Sequence, residues 1–285
     1  MRLARYDDNK LGLVDGDTIR DVTAALGELP AFRYPLPLGD QYIAALPRLR
    51  EKIVALAKNA PGRPVASVRL LSPVANPGKI LGAPINYNDH VAESQKDQAI
   101  AYGRTIRHIG EFGLFQKAVS ALVGPSEGVA LRFLEKRNDH EMELAVVIGR
   151  AGTRIPEDRA LDHVAGYCIG LDMTVRGPEV PTFRKSIDSY AVLGPWLVTA
   201  DEVPDPNNLD FWLSVNGETR QKSNTRFLVY NVQKLIAWAS EYYTLHPGDV
   251  IMTGTPRGVA PVVPGDVMDC EIAGIGRMRV AVRQA

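Results

Sequence analysis

The sequence has 285 residues, of which 45% are hydrophobic and 23% charged, as in globular proteins of one large or two ordinary domains. Its 33 basic residues balance 33 acidic ones, so charge does not favour nucleic acid or an anionic membrane as a partner. No apolar stretch approaches the roughly 18 residues of a membrane span, and the polar N-terminus does not resemble a signal peptide. We therefore expect a soluble cytoplasmic protein in which Cys168 and Cys270 are buried free thiols.

The first 72 residues are predicted to form a small α+β unit. Residues 11–14 form a candidate strand that ends in an Asp15–Gly16 turn, and a return strand follows. Apolar residues recur at helical spacing over residues 41–59, which predicts an amphipathic helix. Turn residues at 61–64 then indicate a linker, so we expect a second, larger unit over residues 76–285.

Three carboxylates in the larger unit are candidate metal ligands. Glu141 and Glu143 open an apolar run that ends at Gly149, and side chains two apart on a strand point to the same face. Asp172 ends a second apolar run, a candidate neighbouring strand. Carboxylates this close repel one another unless they are protonated or bound to a cation. Three hard oxygen ligands suit Mg²⁺ or Mn²⁺ better than zinc, although the same spacing also fits a solvated strand face.

His90 and Glu93 are a candidate catalytic pair. Residues 86–89 supply candidate caps for a short helix, and side chains three apart on a helix share a face. A carboxylate beside an imidazole fixes its tautomer and raises its basicity, as a general base requires. The alternative is a surface contact of little energetic value.

Several other polar residues allow two interpretations. Residues 94–110 lack a clear apolar period and include Arg104 and Arg107, which fits a mobile lid over an anionic substrate or a solvated loop. Lys185 lies in a segment too rich in turn residues for a helix, and is either a surface residue or a charge beside a metal-bound oxyanion. The turn at residues 254–258 could present Thr255 and backbone N–H groups to a carboxylate.

The remaining elements are mainly β. Acids and a proline at 156–158 predict a helix start, Asn216–Gly217 predicts a hairpin turn, and Asn231 is a candidate cap for an amphipathic helix. The chain ends in three predicted strands. The fold class predicted is therefore α+β, mainly β.

Five motifs in this order resemble the fumarylacetoacetate hydrolase family in its short bacterial form, and they span roughly residues 76–285. They are Asn86–Tyr87–Asn88–Asp89–His90–Val91–Ala92–Glu93, Glu141–x–Glu143 with the apolar run to Gly149, Asp172–Met173–Thr174–Val175–Arg176, Lys185 with Leu193–Gly194–Pro195–Trp196, and Pro247–Gly248–Asp249–Val250–Ile251 with Gly254–Thr255–Pro256–x–Gly258. The resemblance implies a mixed β-roll or β-sandwich catalytic domain, a small N-terminal α+β domain and, as is usual in the family, a homodimer.

The resemblance also assigns roles to residues. It implies that Glu141, Glu143 and Asp172 bind Mg²⁺, with Mn²⁺ or Ca²⁺ as alternatives. The implied catalytic residues are His90, Glu93 and Lys185, and the implied substrate contacts are Thr255 and Arg176. Two further candidate substrate contacts are Glu179 and Arg107, the latter because arginines at 104–107 could bind a second carboxylate at the far end of the substrate. Glu179 stands where the family pattern commonly has a glutamine, a departure that could mark a different substrate or reaction.

Family substrates are mostly acylpyruvates, so we expect a small-molecule keto acid as the ligand. The reaction expected is hydrolysis of a 2,4-diketo acid, such as fumarylpyruvate or maleylpyruvate, to pyruvate and a carboxylic acid in aromatic-acid catabolism. An oxaloacetate-type decarboxylase, a hydroxymuconate-type isomerase and a sugar-acid dehydratase use similar machinery and stay open as alternatives. So does a metal-stabilised dicarboxylate-binding protein without turnover, which would not need His90.

Overall fold

The computed structural model describes residues 1–101, 103 and 109–285, without the side chains of residues 98 and 99. Within these residues the chain is mainly β-sheet with a few helices, which confirms the predicted fold class. No helix in the described part of the chain is both long enough and apolar enough to cross a membrane.

Most of the strands are short, and many have only two to four residues. In chain order they are β1 (Arg2–Tyr6), β2 (Lys10–Asp15), β3 (Thr18–Asp21), β4 (Gly62–Pro64), β5 (Leu70–Leu71), β6 (Ile80–Gly82), β7 (Phe115–Lys117), β8 (Leu122–Val123), β9 (Val129–Leu131), β10 (Asn138–His140), β11 (Met142–Ile148), β12 (Val164–Asp172), β13 (Thr174–Val175), β14 (Ala191–Thr199), β15 (Asp210–Val215), β16 (Glu218–Asn224), β17 (Val250–Met252), β18 (Ala260–Pro261), β19 (Val267–Ile272) and β20 (Gly276–Gln284).

The helices are fewer and mostly short. The α-helices are α1 (Gln41–Asn59), α2 (Asn88–Lys96), α3 (Gln98–Ala101), α4 (Ile109–Phe112), α5 (Pro181–Arg184) and α6 (Val232–Tyr242). Short stretches of 3₁₀ helix cover Thr23–Glu28, Val65–Ser67, Val119–Ala121, Glu157–His163, Ala200–Glu202 and Thr225–Phe227.

One large mixed sheet runs through the molecule in the order β4-β3-β2-β1-β14-β12-β11-β17-β6-β7, with β5 paired to β1 and β8 paired to β14. A second sheet has five strands in the order β16-β15-β19-β20-β9, and a third has the order β13-β10-β18. The strands at the centre of the large sheet, β11, β12 and β14, are apolar along nearly their whole length because both faces of the sheet are covered.

The two faces of the large sheet pack against different cores. Along β11, Ala145 and Val147 join the core that includes the buried face of α1, where Ile43, Leu46, Leu49 and Ile53 lie. Leu144 and Val146 point the other way, into the core shared with α6 and the five-stranded sheet. This alternation follows from the two-residue period of a strand.

The N-terminal strands belong to the same sheet as the strands of the larger unit. Arg2 and Leu3 of β1 pair with Val198 and Leu197 of β14 in antiparallel register. The sheet is therefore continuous across the boundary expected at residues 72–76, and the division into two domains stays a prediction.

Two local predictions near the candidate site need correction. Helix α2 begins without a side-chain cap, because Tyr87 occupies the N-cap position and Asn86 donates instead to the carbonyls of Thr253 (2.8 Å) and Tyr230 (2.9 Å). Lys185 is not in an irregular segment but occupies the C-cap position of the one-turn helix α5. Pro181 can begin this helix because the first helical residue does not need its N–H for a helical hydrogen bond.

Candidate active site

The three candidate metal ligands meet at the ends of two neighbouring antiparallel strands. Glu143 of β11 pairs with Gly170 of β12, and Met142 pairs with Leu171. Glu141 and Asp172 therefore face each other two positions from Glu143, where the Asp172 N–H donates to the Glu141 carbonyl at 2.8 Å. One oxygen of each of the three carboxylates lies within 4.8 Å of the others. The register of the strand pair, together with the strand period, therefore produces the cluster.

All three carboxylates are buried, with relative exposures of 5% for Glu141, 2% for Glu143 and 1% for Asp172. Burial and the charges of Asp172 and Glu141 raise the pKa of Glu143 well above its ordinary value. Burial also opposes ionisation of Glu141, but the charges of Lys185 and Arg176 hold the pKa of that carboxyl well below its ordinary value. Such a cluster of hard oxygen donors could hold a divalent metal ion.

Three buried cations surround the cluster. Lys185 Nζ donates to Glu141 (2.7 Å) and Asp172 (2.6 Å), and Arg176 Nη2 donates to Glu141 at 2.8 Å. Lys117 Nζ, on the edge strand β7, donates to the other oxygen of Asp172. Glu141 and Asp172 are thus paired with cations, as burial of charge requires.

A chain of alternating charges continues from Arg176 to the end of helix α2. Arg176 Nε donates to Asp139 at 2.7 Å, and Arg137 Nε donates to the other Asp139 oxygen at 2.7 Å. Arg137 Nη1 reaches Asp97, the C-cap of α2, at 2.9 Å. The helix that carries His90 and Glu93 is therefore linked to the carboxylate cluster through four side chains.

Lys117 and the Asp139–Arg137 pair are site residues that the sequence analysis missed. Lys117 follows Phe115 by two positions, so both face inward from β7, but a three-residue strand gives too short a pattern for that inference. Asp139 is fully buried beside Glu141, and only the tertiary fold shows that Arg137 and Arg176 neutralise it.

His90 and Glu93 contact each other as the helix spacing predicts. Their Nδ1 and Oε2 atoms are 2.9 Å apart, with His90 buried and Glu93 partly exposed. The other Glu93 oxygen accepts the Gly258 N–H at 2.8 Å. Glu93 is therefore fixed from two sides and can orient the imidazole of His90.

The turn at residues 254–258 touches both groups. Gly254 N–H donates to Glu143 Oε2 at 2.6 Å. The carboxylate that this backbone group contacts is therefore a side chain of the protein. Thr255 Oγ1 donates to the Met142 carbonyl (2.9 Å) and accepts from Gln221 (2.7 Å). Since the single hydroxyl proton is committed, Thr255 can offer a ligand an acceptor atom more readily than a donor.

A cavity of about 80 Å³ opens beside the carboxylates. The structure brings together four of the predicted site residues in the wall of this cavity: His90, Glu141, Arg176 and Lys185. The rest of the wall is largely apolar. Glu179 lines the neighbouring cleft instead, where its Oε1 lies 3.4 Å from Lys136 Nζ. Arg104 and Arg107 lie outside the described residues.

Comparison with known proteins gives consistent matches over the whole chain. A family model described as fumarylacetoacetate (FAA) hydrolase, C-terminal, matches residues 79–283. Maleylpyruvate hydrolase of Aquipseudomonas alcaligenes is 55% identical over 285 residues, which cover 99% of both chains. Mitochondrial oxaloacetate tautomerase of Xenopus laevis is 37% identical over 297 residues, covering 97% of this chain and 88% of that protein.

A solved structure extends the comparison. The crystal structure of maleylpyruvate hydrolase from Sphingobium sp. SYK-6, in complex with manganese(II) and pyruvate, matches with a TM-score of 0.85 and 41% identity over 100% of both chains.

Proposed function

The chain belongs to the fumarylacetoacetate hydrolase family, as its sequence motifs predict, and from this premise we propose that it is a metal-dependent acylpyruvate hydrolase. The reaction is hydrolysis of a 2,4-diketo acid to pyruvate and a carboxylic acid, and maleylpyruvate, which gives maleate, is the leading substrate. The observation that carries the proposal is the single cavity whose wall includes His90, a ligand carboxylate and Lys185. The high identity to a maleylpyruvate hydrolase supports the choice of substrate.

Glu141, Glu143 and Asp172 are the residues that would hold the metal ion. Their oxygen donors suit Mg²⁺, with Mn²⁺ and Ca²⁺ as alternatives, and a bound cation would relieve the repulsion that raises the pKa of Glu143. When bound, the ion would act as a Lewis acid that polarises the 2-keto group of the substrate.

The charges around the ligands favour an anionic substrate. Four buried carboxylates, Asp139, Glu141, Glu143 and Asp172, stand against four cations, Lys117, Arg137, Arg176 and Lys185. The charges of these eight side chains sum to zero when all of them are ionised, and a divalent ion adds two positive charges. A dianionic substrate would restore the balance.

His90 is the proposed general base. With Nδ1 held by Glu93, the other ring nitrogen is free to accept a proton from a water molecule that attacks the 4-carbonyl carbon. Cleavage of the bond between C3 and C4 then leaves the electron pair on the pyruvate fragment as its enolate, which takes up a proton to give pyruvate.

Lys185 is the proposed electrostatic stabiliser of that enolate. Its Nζ is buried between Glu141 and Asp172, so its charge is fixed beside the position of the 2-keto oxygen without reorganisation during the reaction. Arg176 holds Glu141 from the other side. A substrate contact by Thr255 through its acceptor atom is part of the same proposal, and direct roles for Glu179 and Arg107 stay predictions.

We also infer a cytoplasmic location, a homodimer and a part in aromatic-acid catabolism. The family resemblance supports the dimer, and light scattering of the purified protein tests it directly.

Loss of near-UV absorbance from the enol form of a panel of 2,4-diketo acids tests the proposed function. The panel contains maleylpyruvate, fumarylpyruvate and acetylpyruvate, each with Mg²⁺, with Mn²⁺ and with chelator. We expect metal-dependent loss, fastest for maleylpyruvate, with one equivalent of pyruvate formed. Absence of cleavage across the panel, with oxaloacetate or a hydroxymuconate diacid converted instead, would refute it.

A further inference from the structure

A buried amide to which the proposed chemistry gives no role lies beside the carboxylate strand β11. The side chain of Gln221, in β16, has a relative exposure of 0%. Its Oε1 accepts the N–H of Met142 at 3.1 Å and lies 3.2 Å from Nδ1 of His140. Met142 stands between Glu141 and Glu143 in the sequence, so this oxygen is bound to the segment that carries two of the candidate metal ligands.

The amide nitrogen of Gln221 holds the turn at residues 254–258. Nε2 donates to Oγ1 of Thr255 at 2.7 Å and to the carbonyl of Pro256 at 3.1 Å. Both contacts lie in the middle of the turn. One fully buried side chain therefore joins the turn to the strand of the metal ligands.

The orientation of this amide is fixed by its partners. A backbone N–H can only donate and a backbone carbonyl can only accept, so the oxygen of Gln221 must face Met142 and its nitrogen must face Pro256. Thr255 accepts from that nitrogen and donates its own proton to the Met142 carbonyl. A reversed amide would break contacts on both sides at once.

The turn that Gln221 holds supports both parts of the proposed active site. At one end of the turn, the N–H of Gly254 bonds to the candidate metal ligand Glu143. At the other end, the N–H of Gly258 bonds to Glu93, which orients His90. A displacement of the turn would therefore move a metal ligand together with the support of the general base.

We propose that Gln221 is a positioning residue, whose amide fixes the turn at residues 254–258 against strand β11 and so sets the geometry of the metal site and of the His90–Glu93 pair. Gln221 is not among the described residues that line the cavity, so it acts through the groups that it holds. The part of the inference that concerns catalysis rests on the proposed function. The part that concerns the metal rests on the carboxylate cluster.

Gln221→Met tests the proposal, because methionine is similar in size but has neither an amide oxygen nor an amide nitrogen. Loss of a residue that holds metal ligands in place typically costs about 10- to 100-fold in metal affinity or activity. We expect the dissociation constant for Mn²⁺, from calorimetric titration, to rise about tenfold or more, and kcat for maleylpyruvate to fall by a similar factor. KM at saturating Mn²⁺ should stay close to the wild-type value, since Gln221 does not line the cavity.

Asn224→Leu is the matched control. Asn224 is a buried amide on the same strand, and it donates to Asn208 and Asp210 and accepts the Arg226 N–H, none of which belongs to the turn. This substitution should lower the melting temperature of the metal-free protein, as Gln221→Met does, because both leave buried polar groups unpaired. The Mn²⁺ affinity and kcat of the Asn224→Leu variant should stay at wild-type values.

Gln221→Asn serves as a second variant if Gln221→Met does not fold. Asparagine keeps the hydrogen-bonding groups of the amide but is one methylene shorter, so the contacts with Met142 and with the turn must lengthen. We expect losses of Mn²⁺ affinity and kcat in the same direction and of smaller size.

The outcomes separate the two hypotheses. Wild-type Mn²⁺ affinity in Gln221→Met, or equal losses in Gln221→Met and Asn224→Leu, would overturn the assignment of Gln221 while leaving the hydrolase proposal in place. A wild type that does not cleave maleylpyruvate would refute the proposed function, whereas a loss of Mn²⁺ affinity confined to Gln221→Met would still support the role of Gln221 at the metal site.

Discussion

The backbone N–H of Gly258 donates to Glu93 Oε1, with 2.8 Å between nitrogen and oxygen. Four residues earlier, Gly254 N–H donates to Glu143 Oε2 at 2.6 Å. A single turn therefore holds a candidate metal ligand and the residue that orients His90. This links the position of the general base to that of the metal site.

Gly258→Ala tests this link. Gly258 has a φ of +98°, and an added Cβ would lie 2.1 Å from the Arg220 carbonyl oxygen, so the turn must shift. A displacement of about 1 Å at a catalytic group can cost about 100-fold in rate, so we expect kcat to fall by up to that factor. Gly265→Ala is the matched control, because Gly265 has a φ of +100° but nothing near its Cβ position. Equal effects of the two substitutions on kcat would contradict the account.

His90→Ala should abolish most hydrolysis while metal binding persists. Removal of a general base typically costs about 10²- to 10⁴-fold in rate, and His90 is not a member of the carboxylate cluster. Calorimetric titration with Mn²⁺ measures the binding, and His163→Ala, whose imidazole contacts the Arg150 carbonyl, serves as the control. Wild-type turnover in His90→Ala would remove the His90–Glu93 pair from the mechanism.

Glu143→Gln should separate metal binding from folding. The substitution removes one of three mutually repelling carboxylates, so the metal-free protein should keep or raise its melting temperature, while the rise caused by metal is lost. Glu127→Gln is the control, since Glu127 also accepts a backbone N–H, from Gly124 at 2.6 Å, but lies outside the cluster. A normal metal-induced rise in Glu143→Gln would show that Glu143 is not a ligand.

Lys117→Met should have opposite effects on stability and on metal affinity. The lysine is fully buried against Asp172, and removal of one partner of a buried ion pair costs about 3–5 kcal/mol of unfolding free energy. Because a positive charge beside the ligands is lost, Mg²⁺ should bind more tightly and restore part of that stability.

Lys79→Met distinguishes this effect from general loss of an ion pair. Lys79 pairs with buried Asp249 at 2.7 Å and is not among the cluster residues. The Lys79→Met substitution should lower the denaturation midpoint of the protein without changing its Mg²⁺ affinity. Unchanged or weaker Mg²⁺ binding in Lys117→Met would contradict the electrostatic account.

The sequence was sufficient to predict the arrangement of side chains where the period of a strand or helix determines it. Glu141 and Glu143 share a face because they are two positions apart, directly before β11 and at its second residue. His90 meets Glu93 because helix positions three apart are neighbours. Helix α1 was predicted with its observed bounds, since a long apolar period leaves little freedom. The ordered motifs also sufficed to identify the family.

The sequence was insufficient to predict hydrogen bonds and ion pairs between residues that are distant in the chain. Lys117 contacts Asp172 across 55 positions of the chain, although β7 and β12 lie four places apart in the strand order of the large sheet. The polar side chain of Asn86 was interpreted as a local cap, but it bonds to carbonyls of Tyr230 and Thr253. Local propensity cannot distinguish these alternatives, because the competing partners are supplied by tertiary structure.

The most direct test of the central claim is product analysis of maleylpyruvate turnover in ¹⁸O-labelled water with Mg²⁺. Hydrolysis at the 4-carbonyl predicts one equivalent of pyruvate and one equivalent of maleate, with one ¹⁸O atom in the maleate carboxylate, in the wild type and not in His90→Ala. Release of CO₂, formation of an isomer of the substrate, or unlabelled maleate would contradict it.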